Sequence, residues 1–394
     1  MNRWGQLAFA GAVVGLLAGL WAGLLRLGLV LPAILPTGAG QHGPLMVSGF
    51  LGTLIALERA VALGALTPMR WPYAAPVLSG LGALVILLGF SPDLGRGLLV
   101  AAALALTAVC WRMARMQPEL HTQLLAVAAA SWAIGNGVWL VGGSIRAAST
   151  WWVGFLVLTV AAERLELGRV LRYAASVKRL FIGAVGVFGL GLILTLFWLD
   201  GGVRLAGLGL ALIGAWLLRF DLARQTIRAR GLTRYVAACL LIGHAWLLLG
   251  GLLWAVLPAS GGGGIYDAVV HSVLLGFIFS MIFGHAPIIL PALTGRAVSL
   301  YTPALYAPLA VLHLALAVRL VGDLLPDLVL RQWGGTFNVI AVLLFAGLAA
   351  DSVKSRATGS VKIDTNGTNL LSLDMSADDS VWSSKTENSA LHVV

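Results

Sequence analysis

Long apolar runs separated by short polar breaks fill the chain from its start to about residue 350. Each run is near 20 residues, and a helix rising ~1.5 Å per residue crosses the bilayer hydrocarbon in about that length. Twelve spans can be marked, at about 5–30, 41–64, 72–91, 94–114, 121–143, 150–172, 178–199, 201–221, 233–257, 264–293, 301–322 and 331–350. The breaks carry turn formers: Pro32, Pro36, Pro92, Pro118, Gly201–Gly202, Gly261–Gly264 and Pro326. The pattern predicts an all-α polytopic membrane protein, with residues 1–351 as one transmembrane domain. After Asp351 the apolar periodicity stops. Residues 352–394 are rich in Ser, Thr, Asp and Asn, which predicts a disordered polar tail.

A repeat runs through the spans. Span 2 holds Gly49-Phe50-Leu51 with Glu58-Arg59 nine residues after the glycine. Span 6 holds Gly154-Phe155-Leu156 with Glu163-Arg164 nine residues on, and span 10 holds Gly276-Phe277-Ile278 with His285 nine residues on. The offsets each cover four spans, so the chain reads as three four-helix pseudo-repeats in parallel. A weaker echo links Gly135-Asn136 of span 5 to Gly243-His244 of span 9.

Composition supports this reading: 59% of residues are hydrophobic and 11% charged. The first run, Gly5–Leu31, exceeds a signal-peptide core and reads as a retained helix. The net charge of +10 does not point to nucleic acid, because the basic residues sit in loops between spans. Fourteen Lys and Arg follow even-numbered spans and four follow odd-numbered ones, which predicts both termini cytoplasmic; the expected location is a bacterial-type inner membrane. Cys110 and Cys239 lie inside apolar runs as small core residues, and Trp4, Trp71, Trp151–Trp152, Trp254 and Trp333 fall near span ends as an aromatic belt.

Ionisable residues inside such spans are costly and mark candidate chemistry. His42 opens span 2 and His271 lies near the start of span 10, which runs in the same direction. Relative to the repeat glycine they sit seven and five residues back, at a similar depth. Two imidazoles at one depth on neighbouring helices suit a bis-histidine haem, here haem b. The same residues would also serve as histidines bonded to backbone carbonyls. Arg26 and Arg319, near the same face, suit haem propionates or snorkel to headgroups. His285, returning to the face of His271, joins His313 and His244 as candidates for a second metal or haem site, copper included. Alternatively each is an isolated core histidine. Glu58-Arg59 and Glu163-Arg164 read as ion pairs between helices or as a proton entry.

His42-Gly43-x-x-Met46 resembles the helix-two motif of haem-copper oxidase subunit I. Twelve helices in three arcs is also that family's architecture. More closely, His42-Gly43-Pro44-Leu45-Met46-Val47-Ser48-Gly49-Phe50, His271-x4-Gly276 and Gly284-His285 resemble the NnrS family of haem- and copper-containing membrane proteins associated with nitric oxide. The resemblance implies His42 and His271 as axial haem ligands, with Met46 in the cofactor set. The departures matter: spans 6 and 7 lack histidine, and His271 has no second histidine beside it. NnrS proteins also carry an acid beside the span-2 histidine and a longer gap between the span-10 pair. The binuclear centre of an oxidase is therefore not expected. The expected function is electron transfer or redox handling of a small diatomic such as nitric oxide, with a lipid bilayer, a diatomic ligand or a redox partner protein as partners. A cofactor-free transporter using Glu58, Glu163 and His285, and a haem-based sensor or nitrosative-stress protein without turnover, are the alternatives.

Overall fold

The computed structural model describes residues 3–32, 38–258, 263–294 and 300–359. Twelve apolar helices follow the twelve predicted spans: α1 Arg3–Arg26, α2 Gly38–Leu66, α3 Trp71–Leu87, α4 Pro92–Met116, α5 Leu120–Leu140, α6 Ile145–Leu171, α7 Ala175–Leu194, α8 Leu199–Phe220, α9 Gly231–Val256, α10 Gly263–Pro291, α11 Pro303–Leu324 and α12 Leu328–Gly359. Eleven are long and apolar enough to cross a membrane, and α3 is the shorter one. No strand occurs among the described residues. The protein is an all-α, multi-pass membrane protein.

Several boundaries have a local cause. Ser91 accepts a hydrogen bond from the Leu94 N–H, and Pro92 follows at the first helical position of α4. Ser144 does the same for Ala147 at the start of α6. Glu119 and Thr122 form a reciprocal capping box at the start of α5. At the far end, α12 continues to Gly359, past the predicted end at 351. Its extra turns are polar in sequence, so polarity marked the end of the span and not of the helix. Predicted features at Pro36, Gly261–Gly262, Arg296 and 360–394 lie outside the described residues.

At each repeat glycine the preceding helix comes close, although a methyl on Gly49 itself would first meet Ala83 Cβ of α3, at 3.0 Å. A methyl added at Gly15 of α1 would come within 2.6 Å of the Gly49 backbone of α2. One at Gly154 of α6 would come within 2.5 Å of Ser131 Oγ on α5, and one at Gly276 of α10 within 2.5 Å of Trp246 Cβ on α9. In each unit, therefore, the first helix presses on the second at the repeat glycine, as small residues allow in a membrane. The second helices are interior: 78% of the most apolar window of α2 and 83% of that of α6 is buried.

Polar groups inside this bundle need partners, since no water reaches them. Asn136 of α5 supplies several at once. Its Nδ2 donates to the Leu99 carbonyl of α4, and its Oδ1 accepts from Trp152 Nε1 of α6 at 2.9 Å and from Ser48 Oγ of α2 at 3.4 Å. Four helices are thus locked in register by one side chain.

The two inner helices that carry His42 and His271 share a further feature. Leu45–Gly52 of α2 and Ser272–Phe279 of α10 are π-helical, each starting just after the histidine and each containing the repeat glycine. In α6, which has no such histidine, the same stretch is ordinary α-helix. Wide turns of this kind are rare and frequent at functional sites.

Candidate functional site

Two cavities lie between α2 and α10, one toward the His42 end of the bundle and one toward the Glu58 end. Leu51 lines both.

The first is a slot walled by α1, α2, α10, α11 and α12. It contains five of the residues singled out from sequence: Arg26, His42, Met46, His271 and Arg319. Its unfilled volume, counted to the mouth, is about 690 Å³, of which about 60 Å³ is wide enough for the centre of a water molecule. Most of its wall is apolar.

His42 and His271 face each other across it, with ring centres 6.0 Å apart and planes inclined by 19°. Each Nδ1 lies against a backbone carbonyl, Gly19 O at 2.8 Å for His42 and Asp267 O at 2.9 Å for His271. A carbonyl only accepts, so each Nδ1 carries the proton and each Nε2 keeps its lone pair. That is the arrangement of metal-ligating histidines, whose other nitrogen is fixed by a carbonyl or carboxylate. The sequence makes room for it. A methyl on Gly23 would meet the His42 ring at 2.9 Å, so a larger residue there would displace the imidazole.

Spacing gives a direct test of fit. Two imidazoles bound to one metal by bonds of about 2 Å, with ring centres about 1.1 Å behind each nitrogen, have centres about 6 Å apart. The observed 6.0 Å matches. The spacing leaves room for one metal atom between the rings, and the apolar lining of the slot suits an apolar ligand around it.

Charge is concentrated at one end of the slot. Asp267 lies 3.6 Å from Arg26, 3.2 Å from Arg319 and 3.2 Å from Arg331. Asp323 bonds Arg331 at 2.6 Å and lies 3.8 Å from Arg319. Three arginines against two buried carboxylates leave a formal charge of +1. Burial rules out snorkelling for Arg319; Arg26 keeps 43% of its side chain exposed. Asn338 also lines the slot, its Nδ2 donating to the Leu312 carbonyl while its buried Oδ1 has no partner.

The second cavity gathers the three repeat positions. Glu58, Glu163 and His285 come from three different units, yet all line this one space between α2, α6 and α10. Its unfilled volume is about 750 Å³, and the rest of its wall is apolar apart from Thr159. Arg59 bridges Glu58 at 3.2 Å and Glu163 at 2.5 Å, which bears out the ion-pair reading of the Glu-Arg motif. His285 Nδ1 donates to the Met281 carbonyl, leaving its Nε2 as an acceptor. Arg164 makes a bidentate pair with Asp221, at 2.7 and 2.9 Å, at the end of α8.

His285, His313 and His244 are not brought together. His313 stacks on Trp246 and bonds Ser280, whereas His244 is fully buried against Phe277 with neither nitrogen partnered. Neither lines the slot or the second cavity. Among the described residues no group of three or more His, Cys, Asp or Glu is placed to share a metal ion. A further histidine, His121 at the start of α5, lies 3.7 Å from Glu166.

Fold and site together define a polytopic helical membrane protein with a paired-histidine slot between its second and tenth helices. The chain belongs to the family described as Domain of unknown function (DUF8744), whose model matches residues 6–354. No curated protein and no solved structure matches it.

Proposed function

We propose that the protein is a membrane haem b protein that transfers electrons or handles a small diatomic by redox chemistry. The observation that carries this reading is the pair of histidines 6.0 Å apart, each with Nδ1 tied to a carbonyl. His42 and His271 would hold the iron from two sides through their Nε2 atoms. Met46, Val47, Leu274, Leu275 and Phe279 would exclude water from the macrocycle, and Arg26 and Arg319 would meet its carboxylates with a surplus of positive charge. Bound there, haem b supplies an iron that gains and loses one electron.

Histidines on both sides leave no vacant position for oxygen, so turnover like that of an oxidase is not expected. Nitric oxide is favoured among diatomics by the NnrS resemblance. The asymmetry of basic residues supports an inner membrane location with the slot end outside and both termini cytoplasmic. The test is an optical spectrum of the purified protein before and after anaerobic reduction, followed by addition of nitric oxide or oxygen. A reducible Soret band with low-spin α and β bands, and slow oxygen consumption, is the expected result. A protein without a Soret band would refute the haem, and rapid oxygen turnover would refute the closed site.

A second reading, a transporter without cofactor, draws on one observation: Glu58, Glu163 and His285 share a cavity across three repeats. It predicts no Soret band and substrate-driven proton movement lost in Glu163→Gln. The same spectrum separates the two.

A further inference from the structure

At the Glu58 end of the bundle, the connection from α8 to α9 folds over a wide pocket that neither cavity explains. About 490 Å³ of it admits water, and its wall includes Leu171, Tyr173 and Phe220 with three arginines, Arg219, Arg224 and Arg228. None of the three arginines has a carboxylate within 4 Å among the described residues. Two are held in place by other means. Arg219 lies over the Phe220 ring at 5.1 Å, and Arg224 Nη1 donates to the Arg219 carbonyl at 3.2 Å.

The one acid at the pocket is committed elsewhere. Asp221 accepts two hydrogen bonds from Arg164 and one from the Ala223 N–H at 2.7 Å. Burial would push its carboxyl up, but the Arg164 hydrogen bonds and charge outweigh that and hold it below the ordinary value. Its charge is therefore already matched by Arg164. Tyr173 adds no anion either. Burial and the nearby Asp221 charge push its phenol up to about 12, and its hydroxyl donates to the Phe220 carbonyl. Three cations thus share one concavity with no counter-charge, and guanidinium is the group best matched to phosphate oxygens.

Position selects the source of the phosphate. The pocket lies where the candidate membrane spans α6 and α8 end and α9 is about to begin. Tyr173 and Phe220 stand there as interfacial aromatics do. Beside it, Leu167 and Val170 are 49% and 79% exposed, an apolar surface suited to acyl chain. Basic pockets between transmembrane helices at this level bind anionic headgroups. We propose that this pocket binds the phosphate of an anionic membrane lipid. The proposal is independent of the haem.

The test uses the full chain in bilayer discs of phosphatidylcholine with or without phosphatidylglycerol. Retained lipid is read by native mass spectrometry and stability by thermal unfolding. Wild type should retain phosphatidylglycerol and be stabilised by it. Arg219→Gln, Arg224→Gln and Arg228→Gln should each weaken retention roughly fivefold, and the triple variant should abolish it. The single variants change exposed side chains, so they remain informative if the triple variant fails to fold. Arg112→Gln, an exposed arginine on α4, is the control and should change nothing. Equal retention by wild type and the three single variants would overturn the proposal, as would an equal loss in Arg112→Gln. Glycerol phosphate that stabilises as well as the lipid would identify a soluble phosphate ligand and overturn the lipid assignment.

Discussion

The slot and the second cavity are built from the same two helices, α2 and α10, and meet at Leu51, yet their chemistry is opposite. The slot brings two imidazoles within 6.0 Å of each other, beside a cluster of three arginines and two carboxylates. The second cavity holds one imidazole, two carboxylates and a single arginine bridging them, a formal charge of −1. One end is therefore suited to a metal carrying anionic groups, and the other to a proton or a hydrogen-bond donor. The third unit makes the difference. Where α2 and α6 place Glu-Arg nine residues after the repeat glycine, α10 places His285-Ala286. Where α2 and α10 place a histidine before it, α6 places none. A threefold scaffold is thus used twofold at one end and unequally threefold at the other.

The largest effect that would sharpen this contrast is expected at the cavity end. Arg164→Ala leaves Asp221 buried without its partner, which costs about 3–5 kcal/mol. The prediction is a strongly lowered melting temperature in detergent with an unchanged spectrum from whatever protein stays folded. The pH dependence has a definite sign. Asp221 is held below its ordinary value, so its contribution is fully present above the unfolded value of about 3.9 and is lost as pH falls through the lower folded value. Wild type should therefore lose stability on acidification through that range, and Asp221→Asn should lose less. A flat difference between the two would show that the carboxylate is not charged in the fold.

Next comes Gly23→Leu. The new side chain would enter the space of the His42 ring, met at 2.9 Å by the first added atom. Overpacking of this kind costs about 1–3 kcal/mol, so the protein should still fold while haem retention falls sharply. Normal haem content in a folded Gly23→Leu variant would break the claim that the ring is fixed by α1.

The smallest expected change is from Glu163→Gln. Arg59 is buried, but it keeps Glu58 and can still donate to the glutamine carbonyl, so no charge is left without a partner and stability should move by about 1 kcal/mol. The low-spin spectrum should not change at all. A shifted haem midpoint potential in this variant would mean that the two cavities are coupled across Leu51.

The twelve helices were legible because runs of about 20 apolar residues have few other uses. The histidine pair was legible for the same reason: a histidine in an apolar run stands out, and the repeat glycine supplied its depth. The repeat also marked Glu58, Glu163 and His285 as equivalent positions, and the packing of α2, α6 and α10 adds that they line one cavity. Other residues were hidden. Asp267, Asp323 and Arg331 lie close to span ends, where charge is ordinary in sequence, and only the packing of α10, α11 and α12 reveals them as one cluster. The i,i+4 pair Arg319 and Asp323 on an apolar helix was the available signal. The π-turns left none, because they keep the same apolar composition as the ordinary helix around them. The separation of His244, His313 and His285 was equally out of reach, since span membership gives no azimuth.

The most direct measurement of the central claim compares reduced-minus-oxidised spectra of wild type, His42→Ala, His271→Ala and His285→Ala, purified identically. The account predicts a low-spin haem b signal in wild type and in His285→Ala, and its loss together with most of the haem in the other two. An unchanged low-spin signal in His42→Ala or His271→Ala would contradict it.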